Sequence, residues 1–160
     1  MIATHCTSGK TIYTLDTNVL IYSIDQTAGV RHELAKDIVR RAALGPCHLT
    51  LQAISEFFAV ATRKNMVPPV QAARIAEAMI ELFPTIAASA AAVRTALTTA
   101  ASGRASYWDA LLVNTAAEAG CTAILTEDLS AGTVFDGMRI INPFAGASLS
   151  AAAEALLTVD

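Results

Sequence analysis

Two aspartates in the 160-residue chain follow short apolar segments. Asp16 comes directly after residues 12–15, and Asp128 comes two residues after Thr126, which ends the apolar segment 123–126. Brief apolar segments of this kind are typical of strands in a buried parallel sheet. Ligands of such sheets bind beyond the carboxyl ends of the strands, so both carboxylates are candidates for ligand binding. Taken singly, each aspartate is also typical of a helix cap or a turn.

A third carboxylate, Asp109, is surrounded by apolar positions on the helix predicted for residues 107–119. At 100° per residue its side chain falls among residues 112, 113, 116 and 117. A carboxylate that faces a core is costly unless it is paired, hydrogen-bonded or bound to a metal ion. The alternative is a capping box from Ser106 to Asp109, in which the carboxylate accepts a hydrogen bond from a free backbone N–H. The two interpretations are compatible.

Glu56 gives a weaker signal than the three aspartates. It lies on the helix predicted for residues 52–64, roughly opposite the apolar side chains at positions 54, 57 and 58. Gln52 and Arg63 lie on the same side of that helix as Glu56. From the helix pattern alone, a solvated glutamate is the natural interpretation of this position.

The cysteines and histidines indicate no site of their own. Cys6, Cys47 and Cys121 are widely separated and form no Cys-x-x-Cys pair, which is typical of reduced thiols. The histidines at positions 5, 32 and 48 share no metal-ligand spacing with one another or with the cysteines. We therefore expect no zinc site.

The elements that must position these acids alternate between strands and helices. Strands are predicted for residues 12–15, 47–50, 83–86, 123–126 and 139–141, and helices for residues 33–43, 52–64, 70–82, 89–101 and 107–119. Pro68-Pro69 is expected to open one helix, and Gly120 to close another in a left-handed conformation. This alternation predicts an α/β fold with a mostly parallel central sheet.

The composition restricts the class of protein. The chain is 54% hydrophobic and 16% charged, which excludes intrinsic disorder, and its 33 alanines favour helices. Residues 1–10 lack the pattern of a signal peptide, and no segment reaches the roughly 18 consecutive apolar residues that a membrane span needs. We therefore expect a soluble cytoplasmic protein that is not associated with a membrane.

The order of these features resembles the PIN domain, a family of small metal-dependent nucleases. The motifs that carry the resemblance are Leu15-Asp16-Thr17-Asn18-Val19-Leu20-Ile21, Ser55-Glu56, Tyr107-Trp108-Asp109-Ala110, Leu125-Thr126-Glu127-Asp128 and Ile140-Ile141-Asn142-Pro143-Phe144. Together they span about residues 12–144. The small size without insertions is similar to that of VapC toxins, the ribonuclease components of bacterial VapBC toxin–antitoxin pairs.

The resemblance implies a three-layer α/β fold, in which helices flank a central, mostly parallel sheet of four to five short strands. The whole chain, residues 1–160, would form a single PIN domain. An N-terminal extension would cover about residues 1–10, and a C-terminal helical tail would cover about residues 145–160.

The resemblance also implies a site. Its catalytic and metal-binding residues would be Asp16, Glu56, Asp109 and Asp128, which would hold one or two Mg²⁺ or Mn²⁺ ions, and its supporting polar residues would be Thr17, Asn18 and Thr126. The pattern of the family favours Asp128 over its neighbour Glu127, which would turn outward. Two carboxylates about 5 Å apart repel by roughly 3 kcal/mol at an effective dielectric constant of about 20, so converging acids would need a divalent cation. Carboxylate oxygens without His or Cys suit Mg²⁺.

The charge balance is compatible with an RNA substrate. The formal charge is −3, from 14 acidic and 11 basic residues, but only 10 acidic residues remain when the four implied ligands are excluded. Several basic residues are candidates for contacts with RNA phosphates, although solvated helix faces are the alternative for each. They are Arg31, Lys36, Arg40, Arg41, Arg63, Lys64 and Arg104, of which Arg104 and Arg63 are preferred. The resemblance further implies a cognate antitoxin protein and a homodimer. The alanine-rich helices 70–82 and 89–101 carry apolar surface for such partners. The alternative is that this surface packs within the core of one domain.

We therefore expect a Mg²⁺-dependent endoribonuclease that acts as the toxin of a type II toxin–antitoxin system and is neutralised by a bound antitoxin. A housekeeping PIN nuclease that processes RNA would share the same site. A non-catalytic PIN-like module would bind RNA or protein without cutting, but the presence of all four acids argues against it. A phosphoryl-transfer domain would use Asp16 as its acceptor, yet position 18 is Asn rather than a second Asp, and no suitably placed lysine completes that set.

Overall fold

The computed structural model describes residues 10–158, except residues 131 and 133. The expected extension at residues 1–10, with His5 and Cys6, therefore lies outside the described residues apart from Lys10. The strands are β1 (Tyr13–Leu15), β2 (Leu49–Thr50), β3 (Thr85–Ile86), β4 (Ala123–Leu125), β5 (Val134–Phe135), β6 (Met138–Ile141), β7 (Phe144–Ala145) and β8 (Ser148–Leu149). The α-helices are α1 (Thr17–Tyr22), α2 (Val30–Ala42), α3 (Leu51–Arg63), α4 (Pro69–Leu82), α5 (Ala90–Ala101), α6 (Tyr107–Glu118) and α7 (Ala151–Leu157), and a short 3-10 helix covers Gln26–Ala28.

The central sheet has the strand order β1-β4-β6-β5. Strands β1, β4 and β6 run parallel, and β5 is antiparallel to β6. A second parallel pair, β2 and β3, is connected to β1 through a bridge between Tyr13 and Cys47. Every residue of β1 and β4 is buried, as expected for strands covered on both faces. This topology confirms the predicted PIN-like α/β fold with a mostly parallel sheet.

The register of the sheet brings two predicted site residues to the same edge. Leu15 of β1 pairs with Leu125 of β4, so the residues that follow them, Asp16 and Thr126, leave the sheet side by side. The backbone N–H of Asp16 donates to the carbonyl of Leu125 at 3.0 Å, and that of Thr126 donates to Ile141 at 2.9 Å. The carboxyl ends of these strands are therefore the place where polar side chains collect.

The core lies between the sheet and the helices that cover it. Its large, fully buried side chains come from both layers and include Leu20 of α1, Ile38 of α2, Phe57 of α3 and Ile124 of β4. A smaller cluster joins α5 to α6, where the alanines at positions 92, 96 and 110 let the two helices pack closely. No helix in the described part of the chain is both long and apolar enough to cross a membrane.

Helix α1 and the C-terminal tail differ most from the elements predicted from sequence, and the short strand β5 and the 3-10 helix were also not predicted. No element was predicted for the residues of α1, but the carboxylate of Asp16 accepts from the N–H of Thr17 and so acts as a helix cap, one of the two local roles considered for it. The tail expected to be helical from residue 145 begins instead with a hairpin of β7 and β8. Its turn contains Gly146 at φ +64°, and the helix is confined to Ala151–Leu157. Gly120 does adopt the predicted left-handed conformation, with φ +84°.

Candidate active site

The four acids singled out in the sequence line one cavity of about 370 Å³. Each comes from a different segment: Asp16 from the junction of β1 and α1, Glu56 from α3, Asp109 from the first turn of α6, and Asp128 from the loop after β4. The other residues that line this cavity are Thr17, Asn18, Ile21, Tyr22, Asp25, Val60 and Lys64. We refer to it below as the carboxylate cavity.

Asp16 is the most buried acid of the cavity and the one held by the most hydrogen bonds. The residue is 8% exposed. Its Oδ1 accepts from the N–H of Thr17 at 2.6 Å, and its Oδ2 accepts from the hydroxyl of Thr126 at 2.6 Å and from the amide of Asn18 at 3.4 Å. Burial raises the pKa of Asp16 to about 6, against the lowering effect of the hydrogen bonds. The negative charges of Asp128 and Asp109 contribute to this rise, so a cation in the cavity would stabilise the ionised carboxylate.

Thr126 joins the sheet edge to the loop that carries Asp128. It is fully buried, and its hydroxyl donates to Asp16. The same oxygen accepts from the backbone N–H of Asp128 at 3.1 Å and from the amide of Asn18 at 3.4 Å. On the other side of the cavity, the hydroxyl of Thr17 donates to the carbonyl of Ala53 on α3 at 3.4 Å. The three residues predicted to support the site therefore contact either Asp16 or the neighbouring helix.

Asp109 occupies the third position of α6 and is held by the cap of its own helix. The backbone N–H of Asp109 donates to Oγ of Ser106 at 3.1 Å, and the hydroxyl of Ser106 donates to Oδ2 of Asp109 at 2.6 Å. The carboxylate thus accepts from the hydroxyl of the cap residue, whereas the capping-box interpretation expected a backbone N–H as donor. Asp109 caps its helix and lines the cavity at the same time, so both sequence interpretations describe part of its position.

Glu56 is half-buried on α3 rather than fully solvated. Its Oε1 accepts from Nε2 of Gln52, one turn earlier, at 2.7 Å. The same nitrogen donates to the backbone carbonyl of Trp108 at 3.0 Å, which links α3 to the first turn of α6. Gln52 therefore holds Glu56 close to the helix turn that carries Asp109.

Glu127 does not line the cavity, as the resemblance implied. Its Oε2 accepts from the hydroxyl of Tyr22 at 2.7 Å, and its Oε1 forms an ion pair with the guanidinium of Arg31. That guanidinium lies over the rings of Tyr22 and Phe144, at 5.9 and 5.7 Å from their centroids. The carboxylate of Glu127 is therefore engaged on the outer side of the loop, next to Asp128.

The donor set of the cavity suits a hard divalent cation, although the side chains do not form a closed cluster. Within residues 10–158, leaving out 131 and 133, no three His, Cys, Asp or Glu side chains stand close enough to hold one ion. The cavity contains carboxylates but no thiol or imidazole, and Oδ1 of Asn18 is buried without a hydrogen-bond partner among the described residues. Mg²⁺ commonly uses one or two carboxylates and retains waters, so this set fits Mg²⁺ without a full protein cage.

The cations near the cavity differ from those favoured by the sequence. Lys64 lines the cavity, whereas Arg63 and Arg104 do not. Arg104 donates instead to the hydroxyls of Ser102 and Thr99, at 3.1 and 3.3 Å. A helical pattern identifies Lys64, because Glu56, Val60 and Lys64 are spaced four residues apart and line the same cavity. Asp25 also lines the cavity, but its side chain caps the 3-10 helix, a local pattern that carries no signal for a site.

Comparison with known proteins gives one family. The sequence profile of the PIN domain matches residues 13–131, nearly three quarters of the chain. No curated protein matches the sequence.

Several solved structures share the fold. VapC20 of Mycobacterium tuberculosis, described as a toxin that cleaves the sarcin–ricin loop, aligns with a TM-score of 0.58 at 17% identity, over 72% of this chain and 91% of that chain. A chain of a toxin–antitoxin complex from Klebsiella pneumoniae aligns with a TM-score of 0.57 at 19% identity, over 82% and 98% of the two chains. A chain of VapBC2 from Rickettsia felis, bound to a DNA fragment of its promoter, aligns with a TM-score of 0.58 at 12% identity, over 81% and 97%.

The profile match and the solved structures agree with the topology described above. At 12–19% identity, the structural similarity shows a common fold. The profile begins in β1 and ends at residue 131, beyond Asp128. It therefore includes all four acids of the carboxylate cavity. The chain belongs to the PIN domain family.

Proposed function

We propose that this chain is a divalent-metal-dependent endoribonuclease. The observation that carries the proposal is the placement of four carboxylates, from four separate segments, around one cavity. Asp16, Glu56, Asp109 and Asp128 would hold one or two Mg²⁺ or Mn²⁺ ions. A bound divalent cation lowers the pKa of a coordinated water, polarises a phosphodiester and stabilises charge on the leaving oxygen.

The residues around Asp16 would prepare the site for that cation. Burial and the neighbouring acids raise the pKa of Asp16, whereas the N–H of Thr17 and the hydroxyl of Thr126 favour its ionised form and fix the orientation of its oxygens. The unpartnered Oδ1 of Asn18 is a further acceptor within the cavity. Hydrolysis at such a site does not require the 2′-hydroxyl of RNA, so the products would carry a 5′-phosphate and a 3′-hydroxyl.

Metal-dependent cleavage of total RNA tests the catalytic assignment. We expect the wild-type protein to cut RNA with Mg²⁺ or Mn²⁺ but not with a chelator, and Asp16→Asn to lose about 100-fold or more of this activity. Asp37→Asn is the matched control, because this carboxylate pairs with Arg40 and Arg41 on α2, outside the cavity. Equal cutting by wild type and Asp16→Asn, or no cutting by wild type with either metal, would contradict the proposal.

The ends of the products test the chemistry separately. Labelling is expected to find 5′-phosphate and 3′-hydroxyl groups on the fragments cut by the wild-type protein. Fragments that end in 2′,3′-cyclic phosphates would show that the 2′-hydroxyl is the nucleophile. Such a result would exclude the metal-assisted attack of water even if RNA is cut.

We further propose that the nuclease is the toxin of a toxin–antitoxin pair and that a bound antitoxin neutralises it. The support is the fold, which this chain shares with VapC20 and with chains of two toxin–antitoxin complexes. Exposed apolar side chains on α4 and α5 offer surface for a partner or a second copy; they are Val70, Ile80, Leu82 and Leu97. A homodimer, a cytoplasmic location and RNA contacts by Arg104 and Arg63 stay predictions of the sequence.

Growth assays separate a toxin from a housekeeping nuclease. Expression of the wild-type chain in bacteria is expected to arrest growth, whereas Asp16→Asn leaves growth unchanged. Co-expression of a short DNA-binding protein encoded immediately upstream is expected to restore growth. If wild-type expression leaves growth unchanged although the purified protein cuts RNA, the housekeeping role replaces the toxin role.

A further inference from the structure

A second cavity adjoins the carboxylate cavity. It has a volume of about 460 Å³ and lies between residues 24–27, which lead into the 3-10 helix, and residues 64–67, which connect α3 to α4. Asp25 and Lys64 line both cavities, so the two cavities meet at these residues. We refer to the second cavity as the side cavity.

Two charged residues stand at the junction, and Lys64 is the one whose charge attracts a phosphate. The ammonium of Lys64 makes no ion pair or hydrogen bond with the described residues, and the residue is exposed. The carboxylate of Asp25 is engaged, because its Oδ1 accepts from the N–H of Thr27 at 3.0 Å and from its hydroxyl at 2.6 Å. The junction therefore presents a free cation next to the acids that are proposed to hold metal.

The walls of the side cavity combine apolar surface with free amides. Ile24, Met66 and Val67 supply the apolar surface, and Gln26 and Asn65 supply side-chain amides that make no hydrogen bond within the described part of the chain. Amides can pair with the edges of a nucleobase, and apolar side chains contact its faces. The volume lies within the range of cavities that bind small organic groups.

We propose that the side cavity binds one unpaired nucleotide of the RNA substrate, directly next to the scissile phosphate, while Lys64 contacts a backbone phosphate at the junction. The inference rests on the proposed nuclease function and adds a nucleotide subsite to it. A base must leave its stack to enter a recess of this kind, so the substrate is unpaired at that position. Gln26 and Asn65 then set the preferred base at one position beside the cut.

Cleavage of an RNA pool of random sequence tests the subsite. The informative variants are Gln26→Ala and Asn65→Gly; glycine is chosen because Asn65 has φ +51°, where a Cβ is strained. Each is expected to reduce discrimination at the same single position beside the cut by about fivefold or more. Gln71→Ala removes an exposed amide of α4 that lines neither cavity and is expected to leave the preference unchanged.

Lys64→Ala tests the phosphate contact at the junction. We expect a KM raised about 10-fold at low salt, an unchanged kcat, and a salt dependence of binding that is shallower by about one phosphate contact. Arg94→Ala removes an exposed cation of α5 outside both cavities and serves as the control for net charge. A kcat that falls as strongly as kcat/KM would place Lys64 in the chemical step and overturn its assigned role.

A binding measurement tests the nucleotide subsite independently of catalysis. Asp16→Asn is titrated with a short single-stranded RNA and with the same RNA as a duplex, and the single strand is expected to bind about 10-fold more tightly or better. Gln26→Ala in this background should weaken single-strand binding only. Equal affinity for the two forms, or cleavage preferences that both amide variants leave unchanged, would overturn the subsite. Loss of metal-dependent cleavage in wild type, with the binding differences intact, would overturn the nuclease proposal alone.

Discussion

The two walls of the carboxylate cavity hold their acids in different ways. On the sheet-edge wall, Asp16 is buried and accepts from Thr126, a residue 110 positions away that the pairing of β1 with β4 brings beside it. On the helical wall, Glu56 and Asp109 are bound by residues of their own helix turn, Gln52 at 2.7 Å and Ser106 at 2.6 Å. The hydrogen bond that joins Asp16 to Thr126 is a long-range contact, whereas Glu56 and Asp109 are held by side chains from their own helix turns. Substitutions on the sheet-edge wall should therefore change folding and the site together, whereas substitutions on the helical wall should change the site with a smaller effect on folding.

Thr126→Val is the strongest test of the sheet-edge wall. Valine keeps the shape of threonine but removes a buried hydroxyl that donates to Asp16 and accepts from the N–H of Asp128. Because the partners left behind are largely buried, we expect the free energy of unfolding to fall by about 2–4 kcal/mol and RNA cleavage to fall with it. Denaturant unfolding and cleavage assays measure the two effects on the same samples.

Thr126→Ser is the matched control for this substitution, since it keeps the hydroxyl and removes only a methyl group. It should retain most of the cleavage activity and lose about 1 kcal/mol of stability. If Thr126→Val cuts RNA as well as Thr126→Ser does, the hydroxyl does not hold Asp16 in an active orientation. The assignment of Thr126 to the site would then fail.

Asp16→Asn should stabilise the protein in the absence of metal. The folded-state pKa of Asp16, about 6, lies above its ordinary value of 3.8, so the folded state binds more protons than the unfolded state between these values. Stability therefore decreases as pH rises from about 4 to 6, by roughly 3 kcal/mol for a shift of about two pKa units. Asparagine removes the cost of burying an ionised carboxylate, but it also removes a charged hydrogen-bond acceptor. We therefore expect the free energy of unfolding at pH 7 to rise by about 1–3 kcal/mol.

Thermal unfolding with a chelator, at pH 7 and near pH 4, measures this gain. The advantage of Asp16→Asn should shrink toward the lower pH, where Asp16 is protonated in the folded state and about half protonated in the unfolded state. Addition of Mg²⁺ should stabilise wild type but not the variant, because ligands that bind only the folded state raise its stability. A variant that is less stable than wild type at pH 7 with a chelator would show that the hydrogen bonds of Asp16 outweigh its desolvation.

The same difference between the walls explains how much of the site the sequence could predict. The sequence shows an apolar segment before Asp16 and another before Thr126. Because parallel strands end at one sheet edge, this pattern predicts that the two residues lie close together. The strand order itself, β1-β4-β6-β5, is not encoded in any local pattern, since it depends on which buried segments pair. The resemblance to PIN domains implied a central, mostly parallel sheet of four to five strands, and the order of those strands comes from the structure.

Local patterns were misleading where one residue has two roles. Asp16 follows a strand, caps α1 and lines the cavity, so its local pattern suited a helix cap, a turn and a ligand site alike. Glu56 was interpreted as solvated because the helix pattern does not show that α6 packs beside it through Gln52 and Trp108. Lys64 was not preferred over Arg63, although only Lys64 continues the spacing of Glu56 and Val60 along the cavity. Tertiary packing decided each of these positions.

Ser106→Ala tests the helical wall. Ser106 is the N-cap of α6, and its hydroxyl also donates to Asp109, so its removal should cost about 1 kcal/mol of stability and free the carboxylate. Ser89→Ala is a close match, because Ser89 caps α5 and its hydroxyl donates to Glu118 at 2.9 Å. Both variants should lose similar stability in denaturant unfolding. Only Ser106→Ala is expected to weaken Mg²⁺ binding and cleavage, by about 10-fold; an equal effect of Ser89→Ala would assign the loss to helix capping in general.

Tyr22→Phe should have the smallest effect, because it acts on the outer side of the sheet-edge wall. It removes the hydrogen bond to Glu127, which raises the pKa of Tyr22, but keeps the ring that lies beneath Arg31. Glu127 remains paired with Arg31, so the loss of stability should be below about 1 kcal/mol. Tyr107→Phe is the control, since no hydrogen bond of that hydroxyl occurs within the described residues. One result would extend the sheet-edge wall to Glu127, a residue that does not line the cavity. In that result Tyr22→Phe lowers cleavage far more than stability, whereas Tyr107→Phe changes neither. The hydrogen bond between Tyr22 and Glu127 would then position the loop that carries Asp128.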